Sequence, residues 1–125
     1  MEIKIVSLIG MVWLHIIDDY MLQGKLASMK QKRWWMDNYP DKLYKNDYKI
    51  ALLTHAFSWS FMIMLIPIGY AIYTNTLTYW YIIAFIINWL IHAYVDDLKA
   101  NKLVINLIHD QTIHITQIMI TRLLI

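Results

Sequence analysis

Four stretches, 3–23, 50–73, 78–98 and 103–125, are built mainly from Ile, Leu, Val, Met and aromatic residues. Each is about the 20 residues an α-helix needs to cross a hydrocarbon layer of ~30 Å at ~1.5 Å per residue. They occupy most of a 125-residue chain, which leaves room for a single domain, 1–125. The hydrophobic fraction is 59% and the charged fraction 16%, against roughly 25% charged in ordinary soluble domains. The segments 61–68 and 81–91 are almost unbroken, and Pro67 and Gly69 inside the second stretch are tolerated by helices embedded in lipid. The first and fourth stretches are more polar and are expected to face other helices. Asp18, where a small-residue cleavage site would follow Ile17, makes the first stretch a span and not a cleavable signal. The expectation is an all-α, four-helix transmembrane bundle with the lipid bilayer as its partner.

Charge sets the expected orientation. Lys25, Lys30, Lys32, Arg33, Lys42, Lys45 and Lys49 fall in the segment 24–49, and Lys99 and Lys102 in the turn between the last two spans. Nine of the 11 basic residues thus lie on one side, with Lys4 and Arg122 on the other. The positive-inside rule then makes both loops cytoplasmic and puts both termini outside. Lys25, Lys30, Lys32 and Arg33 alternate with Leu26, Met29, Trp34 and Trp35, the pattern of an interfacial amphipathic segment. A net charge of +2 gives no reason to expect nucleic acid, and the absence of Cys excludes a disulfide framework, a Cys-based zinc ribbon and a thiol nucleophile.

The polar residues inside the spans carry the chemistry. The first holds His15, Asp18, Asp19 and Gln23, and the second His55. The third holds Asn88, His92, Asp96, Asp97 and Lys99, the fourth His109, Asp110, Gln111, His114 and Gln117. A charged residue at mid-bilayer costs about 2.5–3.5 kcal/mol on insertion scales, so several together require mutual pairing or a bound ion. His15 and Asp19, His92 and Asp96, and Asp110 and His114 are each four apart, one above the other on a helix face. Counted from the basic loops at ~1.5 Å per residue, Asp19, His55, His92 and Asp110 lie about 9 to 12 Å deep, with Asp96 nearer the surface and His15 and His114 deeper. Seven groups therefore converge in the cytoplasmic half: His15, Asp19, His55, His92, Asp96, Asp110 and His114. They can hold one or two divalent ions; nitrogen and oxygen donors without thiolate favour zinc, with manganese or iron(II) as alternatives. Gln23, Asn88 and Gln111 are placed to orient the ligands. Asp18 is an alternative to Asp19, whereas Asp97 and His109 point about 100° away from the ligand face. The competing reading is that the His–Asp pairs only hydrogen-bond the helices together.

The ordered set His15-x3-Asp19-Tyr20-x2-Gln23, His55, His92-x3-Asp96-x2-Lys99 and Asp110-Gln111-x2-His114 resembles a family of small bacterial and phage membrane proteins. That family is a domain of unknown function with HxxxD(F/Y)xxQ, a lone His, HxxxDxxK and DQxxH. It usually carries a Lys about eight residues after the Gln; Lys30 stands seven after Gln23. The resemblance covers nearly the whole chain and implies a four-helix protein of the bacterial cytoplasmic membrane. It implies no activity.

Function is therefore read from the cluster. The first reading is a metal-dependent hydrolase at the cytoplasmic face, acting on a phosphoester or lipid-linked substrate. A metal-bound water would be the nucleophile, Asp19 or Asp96 the catalytic base, and Lys99, assisted by Lys30, the group holding the substrate anion. The alternative is a divalent-cation or proton transporter or sensor. Paired HxxxD motifs resemble the zinc site of cation-diffusion-facilitator transporters, although the similarity ends at the motif. Against transport, 61–73 and 79–87 offer little polar path unless the chain forms a homo-oligomer. A metal-stabilised adaptor or inhibitor of phage origin is the third reading.

Overall fold

The computed structural model describes residues 2–125 and is all-helical over them, with no strand among the described residues. Four long helices form the body: α1 (Glu2–Ile17), α4 (Asp47–Tyr73), α5 (Tyr79–Ala100) and α6 (Leu107–Leu124). Two short ones, α2 (Leu26–Met29) and α3 (Lys32–Asn38), lie in the basic connection between α1 and α4. A π-helical turn, Asp18–Leu22, extends α1, and a 3₁₀ turn, Lys42–Tyr44, precedes α4. Around the bundle α4 packs against α1 and α5, while α6 packs against α5 and α1.

Local chemistry accounts for the helix ends. Asn106 caps α6, its Oδ1 accepting from the His109 N–H at 3.0 Å. Asn75, at φ 57°, takes the left-handed conformation that terminates α4. Leu103, at φ 55°, does the same after α5, a conformation that costs a branched side chain about 1–2 kcal/mol. The fourth stretch consequently becomes helical at Leu107 and not at 103.

The described chain has three helical segments long and apolar enough to cross a membrane: Glu2–Leu22, Lys42–Tyr73 and Tyr79–Ala100. The expected fourth span, α6, is not among them, because Asp110, Gln111, His114, Gln117 and Arg122 lower its hydropathy. Those residues face inward: Asp110, His114, Gln117, Thr121 and Arg122 are buried at spacings of four, three, four and one. Ile5, Val6, Ile9 and Trp13 on α1, and Ile82, Ile86, Ile87 and Leu90 on α5, are exposed. The molecule thus carries ionisable groups in its interior and large apolar side chains exposed along α1 and α5. At one end the packing is apolar, with Met11, Trp59, Ile63, Met64, Ala71, Tyr81 and Ile118 as the buried cluster. Gly10 lets α1 approach α4 closely, since a Cβ there would fall on Ile66 Cδ1. The His and Asp residues occupy the other end.

The segment expected at the membrane interface forms α2 and α3. Trp34, Trp35, Tyr39 and Tyr44 make a compact aromatic group there, with Trp35 Nε1 donating to the Met29 carbonyl at 2.6 Å. Lys30 departs from that pattern. It is only 5% exposed and turns into the bundle.

Candidate metal centre

Two consecutive acids are buried at the end of α1. Asp18 continues the inward stripe of Ser7, Met11 and His15, and Asp19, four residues after His15, is buried beside it where the chain enters the π-helical turn Asp18–Leu22. Asp18 Oδ1 accepts from Ser58 Oγ at 2.7 Å, and its Oδ2 lies 3.6 Å from His55 Nδ1. Asp19 Oδ1 lies 3.3 Å from His55 Nε2 and 3.9 Å from His92 Nε2. Two histidines and an aspartate, from α1's extension, α4 and α5, thereby converge on one point.

The geometry around that point is metal-like. The two Nε2 atoms of His55 and His92 are 3.2 Å apart. Asp96 Oδ2 lies 3.5 Å from His55 Nε2 and 3.8 Å from His92 Nε2. A tetrahedral ion with ligand distances of about 2.1 Å separates its donors by about 3.4 Å. The three distances among Asp19 Oδ1, His55 Nε2 and His92 Nε2 are 3.2, 3.3 and 3.9 Å, and Asp96 Oδ2, held by Lys30, lies beside the two histidines. A second group adjoins the first: His92, Asp96 and His114 also bring ligand atoms within 4.8 Å of one another. His114 Nε2 is 3.6 Å from Asp96 Oδ1 and 3.4 Å from Asp110 Oδ1. Asp96 therefore turns one oxygen toward each group. These buried His and Asp groups can hold a metal ion.

Unpartnered atoms point the same way. Among the described residues, Asp19 Oδ1, Asp110 Oδ1, His92 Nδ1 and both ring nitrogens of His114 are buried without a hydrogen-bond partner. Buried polar atoms are almost always satisfied, and a group of orphans in one place calls for an explanation. Charge agrees. Asp18, Asp19, Asp96 and Asp110 face two cations: Lys30, whose Nζ is 2.5 Å from Asp96 Oδ2, and Lys99, paired with Asp110 Oδ2. With the imidazoles neutral, as metal ligation requires, one divalent ion balances the remaining two negative charges.

His15, expected as a ligand, is occupied at both ring nitrogens. The Trp59 indole can only donate, and its Nε1 lies 2.7 Å from His15 Nδ1, so that nitrogen is the acceptor. The proton of the neutral ring is then on Nε2, which donates to Gln111 Oε1 at 3.0 Å. Gln111 in turn donates from Nε2 to Asp19 Oδ2 and Asp110 Oδ2, both at 3.1 Å. A directed chain of hydrogen bonds thus holds one oxygen of each carboxylate and leaves Oδ1 of each facing a histidine. His15 acts through this chain and not at the ion position, because it has no free lone pair to offer.

The other expected residues divide. Gln111 contacts Asp19 and Asp110 directly, and Gln23 donates to the Asp19 carbonyl. Asn88 does not reach the cluster: it bonds Thr121 Oγ1 at 2.8 Å and Gln117 Nε2 at 2.8 Å, tying α5 to α6 one turn further from the cluster. Lys30 and Lys99, expected to hold a substrate anion, are paired with Asp96 and Asp110. Asp97 bonds Asn101 Nδ2 at 2.8 Å and His109 is exposed, both outside the cluster as expected.

Three residues escaped the sequence reading. Ser58 and Trp59 stand three and four positions after His55, on its own helix face, and that spacing is the signal that could have found them. Trp59 also stacks on the His92 ring, with centroids 4.1 Å apart. Asn101 pins the loop: its Nδ2 donates to the Lys30 carbonyl at 3.1 Å and its Oδ1 accepts from the Lys32 N–H at 2.6 Å. This fixes the α2–α3 junction where Lys30 reaches Asp96, and nothing in local sequence announces it. No family model, curated protein or solved structure matches the chain.

Proposed function

We propose that this chain is a four-helix integral protein of the bacterial cytoplasmic membrane, of the kind implied by the resemblance to small bacterial and phage membrane proteins. Both termini lie outside, and the bundle holds a divalent metal, zinc by preference, in its cytoplasmic half. The observation that carries the metal is the convergence of Asp19 Oδ1, His55 Nε2 and His92 Nε2, whose mutual distances are 3.2, 3.3 and 3.9 Å. The interior of α6 and the apolar exterior of the bundle support the fourth span, since an inward polar face lets a helix of low hydropathy sit among three apolar ones.

The activity that fits this centre is hydrolysis of a phosphoester or lipid-linked substrate at the cytoplasmic face. Asp19, His55 and His92 make the two-histidine, one-carboxylate set found in hydrolytic zinc sites, which keep a fourth position for water. A bound metal supplies the lowered pKa of that water and a Lewis acid for the substrate oxygen. Asp96, whose Oδ2 lies 3.5 Å from His55 Nε2 and 3.8 Å from His92 Nε2, would be the base toward a metal-bound water. Asp18 orients His55 through Nδ1, and Gln111 orients Asp19. Lys30 and Lys99, the two cations paired with Asp96 and Asp110, would be the groups that meet the substrate anion. One observation favours a second reading, passage or sensing of a cation or proton: His92, Asp96, His114 and Asp110 are each no more than 1% exposed, so the cluster is closed to a large substrate.

Elemental analysis of detergent-purified protein beside His92→Ala is the test. One or two equivalents of metal, lost in the variant, support the centre and lead to a phosphoester hydrolysis screen. No metal after incubation with zinc, manganese and iron(II) refutes it. Metal without hydrolysis favours the cation reading, to be followed by metal uptake into proteoliposomes.

A further inference from the structure

The end of the bundle opposite the His/Asp cluster contains a second cavity, and its chemistry is of the opposite sign. Arg122, in the last turn of α6, lies eight residues beyond His114, about 12 Å along the axis. Its side chain is only 8% exposed, and among the described residues its Nε has no hydrogen-bond partner. A buried guanidinium is ordinarily paired with a carboxylate or another anion. None of the side chains lining the cavity beside it is acidic. Lys4 from α1, Pro67 and Tyr70 from α4, Thr76 from the α4–α5 turn and Tyr81 from α5 form most of the rest of the wall, with Ile3 and Ile125 completing it. The cavity is about 280 Å³ and combines two cations with three hydroxyl groups.

We propose that this cavity binds a phosphate-bearing anion. Arg122 presents a planar fork of donors that matches two phosphate oxygens. Lys4 adds a mobile positive charge at the rim, and Tyr70, Thr76 and Tyr81 provide hydroxyls for the remaining oxygens. The volume is just under the usual lower bound of about 300 Å³ for small-molecule pockets and has room for one phosphate group. Two sources carry this chemistry, a phospholipid headgroup and free phosphate. The lipid source rests on the membrane reading above, in which this end of the bundle meets the outer headgroup layer.

The test uses the full chain in nanodiscs of phosphatidylcholine with added phosphatidylglycerol, with bound lipid read by native mass spectrometry. Thermal unfolding in detergent with inorganic phosphate forms the second arm. Wild type is expected to retain phosphatidylglycerol over phosphatidylcholine, and Arg122→Gln to bind it at least about tenfold more weakly, the worth of one charge-assisted hydrogen bond. Lys4→Gln, at an exposed position that folding does not depend on, is expected to weaken it by a smaller factor. Stabilisation by inorganic phosphate that Arg122→Gln abolishes, without lipid preference, assigns the site to the free anion. Neither lipid preference nor phosphate stabilisation in wild type overturns the proposal, as does retention unchanged in both variants. Metal content measured on the same samples separates this outcome from any failure of the metal centre.

Discussion

Replacing Gln111 by Leu removes the hub of the hydrogen-bond chain while keeping the residue's bulk. The carboxamide makes three bonds, at 3.0 Å with His15 Nε2 and at 3.1 Å with Asp19 Oδ2 and Asp110 Oδ2. Asp110 Oδ2 keeps Lys99 in the variant, so the loss falls mainly on Asp19. Its carboxylate is then free to rotate, and Oδ1 leaves the position 3.3 Å from His55 Nε2. Loss of a partner that orients a ligand typically weakens metal binding by about 10–100-fold, or about 1.4–2.7 kcal/mol. Because a bond to an ionised carboxylate is worth about 1.5–3 kcal/mol, the upper part of that range is expected. Chelator competition on detergent-purified protein reads the affinity, and circular dichroism checks that helicity is kept. His92→Ala, which removes a donor 3.2 Å from His55 Nε2 and 3.9 Å from Asp19 Oδ1, is expected to lose stoichiometric metal altogether. Binding in Gln111→Leu within about twofold of wild type, with helicity intact, would refute the claim that this amide holds a metal-ligating carboxylate.

Three further outcomes test the structure independently of metal. Trp59→Phe keeps an aromatic ring over His92 but removes the donor to His15 Nδ1, so His15 is expected to populate both tautomers in ¹⁵N spectra, with a stability loss of about 1–3 kcal/mol; a single unchanged tautomer contradicts the assigned chain. Gly10→Val forces a side chain onto Ile66 and is expected to destabilise the fold by about 1–3 kcal/mol, partly recovered by Ile66→Val; strictly additive effects would rule out the close α1–α4 approach. Since the chain has no Cys, single cysteines report topology cleanly. Thr76→Cys is expected to react with an impermeant thiol reagent on intact cells and Lys45→Cys to react only after lysis, and the reverse pattern inverts the orientation.

The hydrophobic pattern determined much of this protein by itself. Runs of apolar residues of membrane-crossing length specify helices whatever their neighbours, and α4 and α5 match the predicted stretches within a few residues. The i,i+4 pairs were legible for the same reason, because helical periodicity is a local property: His92 with Asp96 and Asp110 with His114 do share faces and do meet. What the periodicity could not convey is how each atom is used once the helices pack. His15 shares a face with Asp19 at 3.6 Å, yet Trp59 from α4 and Gln111 from α6 claim both of its nitrogens. Asn88 follows the same stripe as His92 but meets Gln117 and Thr121, because α6 approaches that turn of α5. Asp18 follows the inward stripe of Ser7, Met11 and His15, but that Asp19 is buried beside it, with Asp18 meeting Ser58 and Asp19 meeting His55, Gln111 and His92, depends on how α4, α5 and α6 pack there. Lys30 carried the composition of a surface segment and was drawn inside by an ion pair 66 residues away and by Asn101 holding its backbone. Helix formation and face polarity follow from short-range sterics and hydration, which a sequence displays directly. Which lone pair faces which proton depends on helix rotation and approach of a fraction of a turn, and only the packed tertiary structure decides that.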